Sequence, residues 1–218
     1  MRLIDALATL TAMQAPVFDT GDAAARLGVD AAHASTMLAR LAAARHVVRL
    51  RRGVWAFRDR VDPLALPEYL TSPFPSYVSL QSALYLHGMI EQVPPVTYAV
   101  SLARTRRFTT PLGTVSIHHV GPGFFFGFED AGTSGGRLAT PEKALVDFLY
   151  LAPARSKLFR ALPELELPAR FSRRGARAIV ARIGSVRRRA MVSRALEGLV
   201  VGTRSLKSGS IGSSTAAR

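Results

Sequence analysis

The chain has 218 residues, 48% hydrophobic and 20% charged, a balance that builds a folded core and excludes an unfolded polyelectrolyte. Its 29 Lys and Arg against 15 Asp and Glu leave a formal charge of +14, which points to a polyanionic partner: nucleic acid, an anionic membrane surface or an acidic protein. The absence of Cys excludes disulfides and thiolate metal sites, and no run approaches the roughly 20 apolar residues of a spanning helix, so a cytoplasmic protein without a membrane partner is expected.

The N-terminal stretch carries Asp5 within its apolar part, which argues against a signal peptide. Leu3, Ile4, Leu7 and Leu10 recur at helical spacing. A second helix follows, with Ala23, Ala24 and Leu27 on one face and Gly28 as its stop. Asp30 is the expected N-cap of a third, whose buried stripe is Ala34, Met37, Leu38 and Leu41. Helix, glycine turn and helix form a helix-turn-helix pattern. VVRL and VWAF then read as a tight hairpin turned at Arg51, Arg52 and Gly53, completing a winged helix over residues 1–58.

In that geometry the third helix presents His33, Ser35 and Thr36 to base edges in the major groove and Arg40 to a phosphate, while Arg49, Arg51 and Arg52 suit a phosphate backbone or a narrow minor groove. No acidic residue interrupts residues 47–57. Trp55 and Phe57 are expected to pack under the wing.

Pro63, Pro67, Pro73 and Pro75 mark residues 59–76 as a connector to an α+β domain at 77–201. Within it a helix is expected over Gln81–His87, ended by Gly88, followed by a strand, a hairpin turned at Pro111 to Gly113, and a short strand entering a helix begun by Thr140 and Pro141. These blocks, SYVSLQSALYLHG with Ser79, Ala83, Leu84, His87 and Gly88, and ATPEKALVD with Ala139, Pro141, Glu142, Lys143, Ala144, Leu145 and Asp147, stand behind a winged helix. In this order the chain resembles, over residues 3–200, the AbiEi-type antitoxins of bacterial type IV toxin–antitoxin and abortive-infection systems. The resemblance implies an antitoxin that binds duplex DNA at inverted repeats in its own promoter, represses its operon and counteracts a nucleotidyltransferase toxin without a stable complex. No cofactor is implied.

Three other stretches bear on alternative functions. Glu142, Lys143 and Asp147 invite a nuclease site, but carboxylates five residues apart on a helix do not share a face, so no catalytic residue is assigned. His118 and His119 alternate across a strand and cannot both bind one metal ion; no metal site is expected. GPGFFFGF lacks the G-x-G-x-x-G spacing of a nucleotide fingerprint and reads as core. A ligand-sensing winged-helix transcription factor stands as the other non-enzymatic alternative.

Charge is concentrated at the C-terminal end, where residues 153–218 hold 15 basic against 3 acidic residues. Two amphipathic helices capped by Ser172 and Ser185 carry Arg173, Arg174, Arg177, Arg187, Arg188, Arg189 and Arg194, a candidate second surface for nucleic acid or an acidic partner. Val192, Ala195, Leu196 and Leu199 are expected to face the core. Residues 202–218, rich in Gly and Ser, are expected to be a disordered tail.

Overall fold

The computed structural model of the chain describes residues 1–131, 136–152 and 165–208. Three helices open it: α1 (Leu3–Thr11), α2 (Thr20–Leu27) and α3 (Ala31–Ala43). The Asp19 carboxylate accepts from the Asp22 N–H at 2.7 Å and the Asp22 carboxylate accepts from the Asp19 N–H at 2.9 Å, a capping box that starts α2. Asp30 caps α3 by accepting from the His33 N–H at 2.8 Å, and that bond holds its carboxyl below the usual carboxylate range. The expected stripes of α2 and α3 are buried. In α1 the buried residues are Ala6 and Leu10, whereas Ile4 is 72% exposed, because two residues of helix turn it well away from the Ala6–Leu10 line.

Three helix ends share one geometry. Two backbone bonds close each: after α2, from Gly28 and Val29 to the carbonyls of Ala25 and Ala24; after α3, from Arg45 and His46 to those of Ala42 and Leu41. The same pair, from Gly88 and Met89 to Tyr85 and Leu84, ends α5 (Leu80–Leu86). The left-handed residue is Gly28 (φ 65°), Gly88 (φ 67°) or Arg45 (φ 64°). A side chain in that conformation costs about 1–2 kcal/mol, so α3 ends with a strained arginine where its two counterparts use glycine.

The wing is a three-stranded sheet, ordered β1 (Val17–Asp19), β3 (Val54–Ala56), β2 (Val48–Arg51). Gly53 turns it with φ 75°. β1, too short to read in the sequence, pairs antiparallel with β3 and places Phe18 opposite Trp55. Residues 59–76 are ordered in the structure. They hold a 3-10 turn at Arg58–Arg60, α4 (Leu66–Thr71) with Pro67 in its first turn, and the start of β4 (Ser76–Val78).

β4 belongs to a mixed six-stranded sheet with β5 (Thr97–Ser101), β6 (Arg106–Thr110), β7 (Gly113–His119), β8 (Phe128–Asp130) and β9 (Arg137–Ala139), in the order β6-β7-β5-β4-β9-β8. β5/β7 and β4/β9 are parallel, the other pairs antiparallel. One face is covered by α5, α6 (Pro141–Leu151), α7 (Arg173–Ala181) and α8 (Val186–Ser208). α8 runs on to Ser208, into the segment expected as tail; the rest of that tail, residues 209–218, lies outside the described residues.

The other face is covered by α4 and the wing. Alternation along β5 decides the split: Val100 packs among the helices and Ala99 on the opposite side. There Ala99, Val115 and Ile117 form one buried cluster with Leu66 and Leu70 of α4 and with Val48, Leu50 and Ala56 of the wing. The connector is held at two further points. Arg137 of β9 pairs with Glu68 at 3.0 Å, and a Cβ at Gly136 would stand 2.8 Å from the Leu64 backbone, so only glycine fits there. No described helix is long and apolar enough to cross a membrane.

Leu50 and Ile117 lie in one cluster, so Leu50→Ala and Ile117→Ala should each cost about 2–5 kcal/mol. Their effects should be non-additive in a double-mutant cycle of denaturant unfolding; strict additivity would show that wing and sheet do not share a core.

Candidate nucleic-acid interface

His33, Ser35, Thr36 and Arg40 are all exposed on α3, on the side opposite its buried stripe. The stripe locks the helix against α1 and α2, leaving the polar side free. Thr36 bonds back to the Ala32 carbonyl at 3.1 Å, a weak local bond that a base-edge contact can replace.

The wing arginines divide. Arg52, at the turn, is exposed. Arg49 is exposed and stands over the Trp55 ring at 5.6 Å, while the indole N–H donates to Thr20 Oγ1 at 3.0 Å, so the guanidinium is carried on a fixed platform. Arg51 is only partly exposed and donates to the Ser72 carbonyl at 3.3 Å. It therefore ties the wing to the end of α4 rather than standing free at the tip. Trp55 and Phe57 are buried, as their place under the wing requires.

The C-terminal arginines also divide. Ser172 caps α7 by accepting from the Gly175 N–H at 2.9 Å, and the Ser185 hydroxyl accepts from the Arg188 N–H at 3.3 Å. Arg177 makes a bidentate pair with Glu197 at 2.8 and 2.9 Å, Arg189 donates to the Ile183 carbonyl at 3.2 Å, and Arg188 lies over the Tyr150 ring at 4.7 Å. Arg174, Arg187 and Arg194 are exposed and Arg173 half-buried. Val192 and Leu196 are buried as expected, but Ala195 is exposed, because it shares a stripe with Arg187 and Met191 rather than with Val192.

Glu142, Lys143 and Asp147 serve packing. The Thr140 side chain caps α6, accepting from the Lys143 N–H at 3.3 Å, and Glu142 reaches across to accept from the Ser172 N–H at 2.6 Å, so one helix start supports another. Lys143 Nζ and Asp147 Oδ1 form an ion pair with both side chains at 0% exposure. Asp147 Oδ2 accepts from Tyr77 Oη at 2.9 Å and from Ser79 Oγ at 2.8 Å, and the ammonium lies over Phe124 at 3.9 Å and Phe126 at 5.0 Å. Burial pushes the Asp147 carboxyl up and the Lys143 ammonium down, each opposed by the other's charge. Burial and the neighbouring carboxylate also push the Tyr77 hydroxyl far up. The pair is enclosed on every side and has no contact with solvent.

Sequence reasoning missed this network because it treated α6 as one-sided. Every residue from Lys143 to Leu149 is buried, and the signal was the apolar ALV and FLYL runs around both charges.

His87 lies at the end of α5, where Arg170 donates to Nδ1 at 3.1 Å and Nε2 contacts the Ala139 carbonyl at 2.7 Å. The Ala139 carbonyl can only accept and the Arg170 guanidinium can only donate, so Nε2 acts as the donor and Nδ1 as the acceptor. His118 is drawn down by burial, and His119 meets the Ala103 carbonyl at 3.1 Å. Among the described residues no group of three His, Asp or Glu could hold a metal ion.

An exposed third helix beside a basic hairpin with no acidic residue over 47–57 is the portion of the chain that a known family shares. Residues 5–58 match the family described as "Transcriptional regulator, AbiEi antitoxin". This supports the AbiEi-type resemblance, and the matched residues run from α1 to just past β3. That family is described as one of transcriptional regulators and antitoxins. No curated protein matches the chain.

Lys143→Met should cost about 3–5 kcal/mol, because it leaves Asp147 buried without its counter-charge. Lys143→Met combined with Asp147→Asn should recover part of that loss, since the neutral amide still accepts from Tyr77 or Ser79. Equal stability of wild type and Lys143→Met in urea unfolding would contradict the pairing.

Proposed function

We propose that the chain is a DNA-binding antitoxin that represses its own operon through the winged helix and counteracts a nucleotidyltransferase toxin encoded beside it, without forming a stable complex with it. The observation that carries this reading is the exposed set His33, Ser35, Thr36 and Arg40 on α3, flanked by the exposed Arg49 and Arg52. Short hydroxyls and an imidazole read base edges, and the arginines neutralise phosphates. The family match over residues 5–58 supports the regulatory part. The C-terminal half carries the antitoxin role by resemblance, and its exposed arginines are candidates for a second contact.

Binding of the full chain to a duplex from its own promoter should weaken by about 0.9 log units per tenfold rise in salt for each phosphate neutralised. Arg52→Ala should weaken binding to every sequence, and Arg51→Ala less so, because Arg51 is engaged with Ser72. Ser35→Ala or Thr36→Ala should mainly blur sequence preference. Absence of binding at low salt in a fluorescence-anisotropy titration would overturn the proposal. Co-expression with the neighbouring nucleotidyltransferase should restore growth, and failure to do so would remove the antitoxin assignment alone.

A further inference from the structure

A groove of about 700 Å³ opens at the margin of the contact between the winged helix and the six-stranded sheet, lined by Ala42, Arg45, Val47, Val48, Arg49 and Arg58 on one side and Pro111 on the other. Three of those residues are arginines, all exposed, and no acidic residue lines the groove. One wall is the end of α3 and the edge strand β2; the other is Pro111, at the turn between β6 and β7 of the C-terminal half. Its charge is held in place: Arg49 is seated on Trp55, and Arg45 occupies the left-handed position where α2 and α5 use glycine. Glycine would close α3 without that strain, whereas the arginine brings a positive charge to the groove.

We infer that this groove seats a backbone phosphate of the bound duplex, so that the C-terminal half helps shape the DNA site. The inference rests on the DNA-binding reading above. Ala42 lies on the same stripe of α3 as Ser35, seven residues and about 10 Å further along the helix. The major groove is about 12 Å wide and is bordered by phosphates. With Ser35 at a base edge, the strand bordering that groove falls at the Arg45 end of α3. Arg45 and Arg58 thus join the interface beside Arg49, and Pro111 limits how far the phosphate can shift.

The test measures salt-dependent binding of the full chain to its promoter duplex and to a random duplex, for wild type, Arg45→Gly with Arg58→Gln, and Pro111→Glu. The first variant removes two charges and relieves the strain at residue 45, so its thermal midpoint should equal or exceed that of wild type. The second leaves all arginines in place and adds a negative charge from the C-terminal side. Each should weaken binding to both duplexes by about tenfold at about 0.1 M salt and make the salt slope shallower by about 0.9, the loss of one phosphate contact. The preference between the two duplexes should not change, because phosphates carry no sequence information. Wild-type affinity and slope in both variants overturn the phosphate seat while leaving the DNA-binding reading intact. The same holds if inorganic phosphate or pyrophosphate binds the groove by calorimetry while DNA affinity is unaltered, which would assign it to a free anion. A wild-type chain that binds neither duplex overturns both readings.

Discussion

The back of the wing is apolar: Val48, Leu50 and Ala56 point away from the three-helix core, and exposed side chains of that kind would have to be covered. They are covered by Leu66 and Leu70 of α4 and by Ala99, Val115 and Ile117 of the large sheet. This shared cluster orients the winged helix on the C-terminal half. It also explains why residues 59–76, despite four prolines, are built into the fold: α4 is a layer between two sheets. The clamps at Glu68, Gly136 and Ser72 follow from that position.

On the opposite face of the sheet the organising element is α6, which is buried all round and so must dispose of two charges internally. Lys143 and Asp147 neutralise one another at the i, i+4 spacing, and the remaining carboxylate oxygen is satisfied by Tyr77 and Ser79 of β4 and the start of α5. Aromatic rings supply the rest of the ammonium's surroundings. Arg182 closes the same cage from outside, 3.3 Å from the Phe126 ring centroid. Such a network adds less net stability than its contacts suggest, because both charges are desolvated. It does specify which face of α6 meets β4.

The excess of positive charge is not one surface. Arg51, Arg60, Arg137, Arg177 and Arg189 hold elements together through carbonyls or carboxylates, with Arg60 donating to Thr11 and Met13 at 3.1 and 3.0 Å. Arg49 and Arg52 at the wing and Arg174, Arg187 and Arg194 at the C-terminal end are exposed. The net charge of +14 is therefore a poor guide to where a polyanion binds; the arginines that face solvent without a structural bond are the better one.

The local grammar of this protein is legible in its residues alone. Asp30, Thr140, Ser172 and Ser185 as caps, Gly28 and Gly88 as stops and Gly53 as the wing turn could be read because a cap or turn is decided by atoms within about four residues along the chain. The exposed side of α3 was legible for the same reason, since its apolar stripe defines it. The tertiary structure alone decided what depends on distant partners: β1 beside β3, the bond from Arg51 to Ser72 twenty-one residues on, and the reach of Asp147 to Tyr77 across seventy. Arg45 belongs with these. Its residue type predicts an ordinary solvated charge, and only the approach of β2 and the β6–β7 turn places it in a groove. Capping energies are local and independent of topology, whereas burial and pairing exist only once the layers have met.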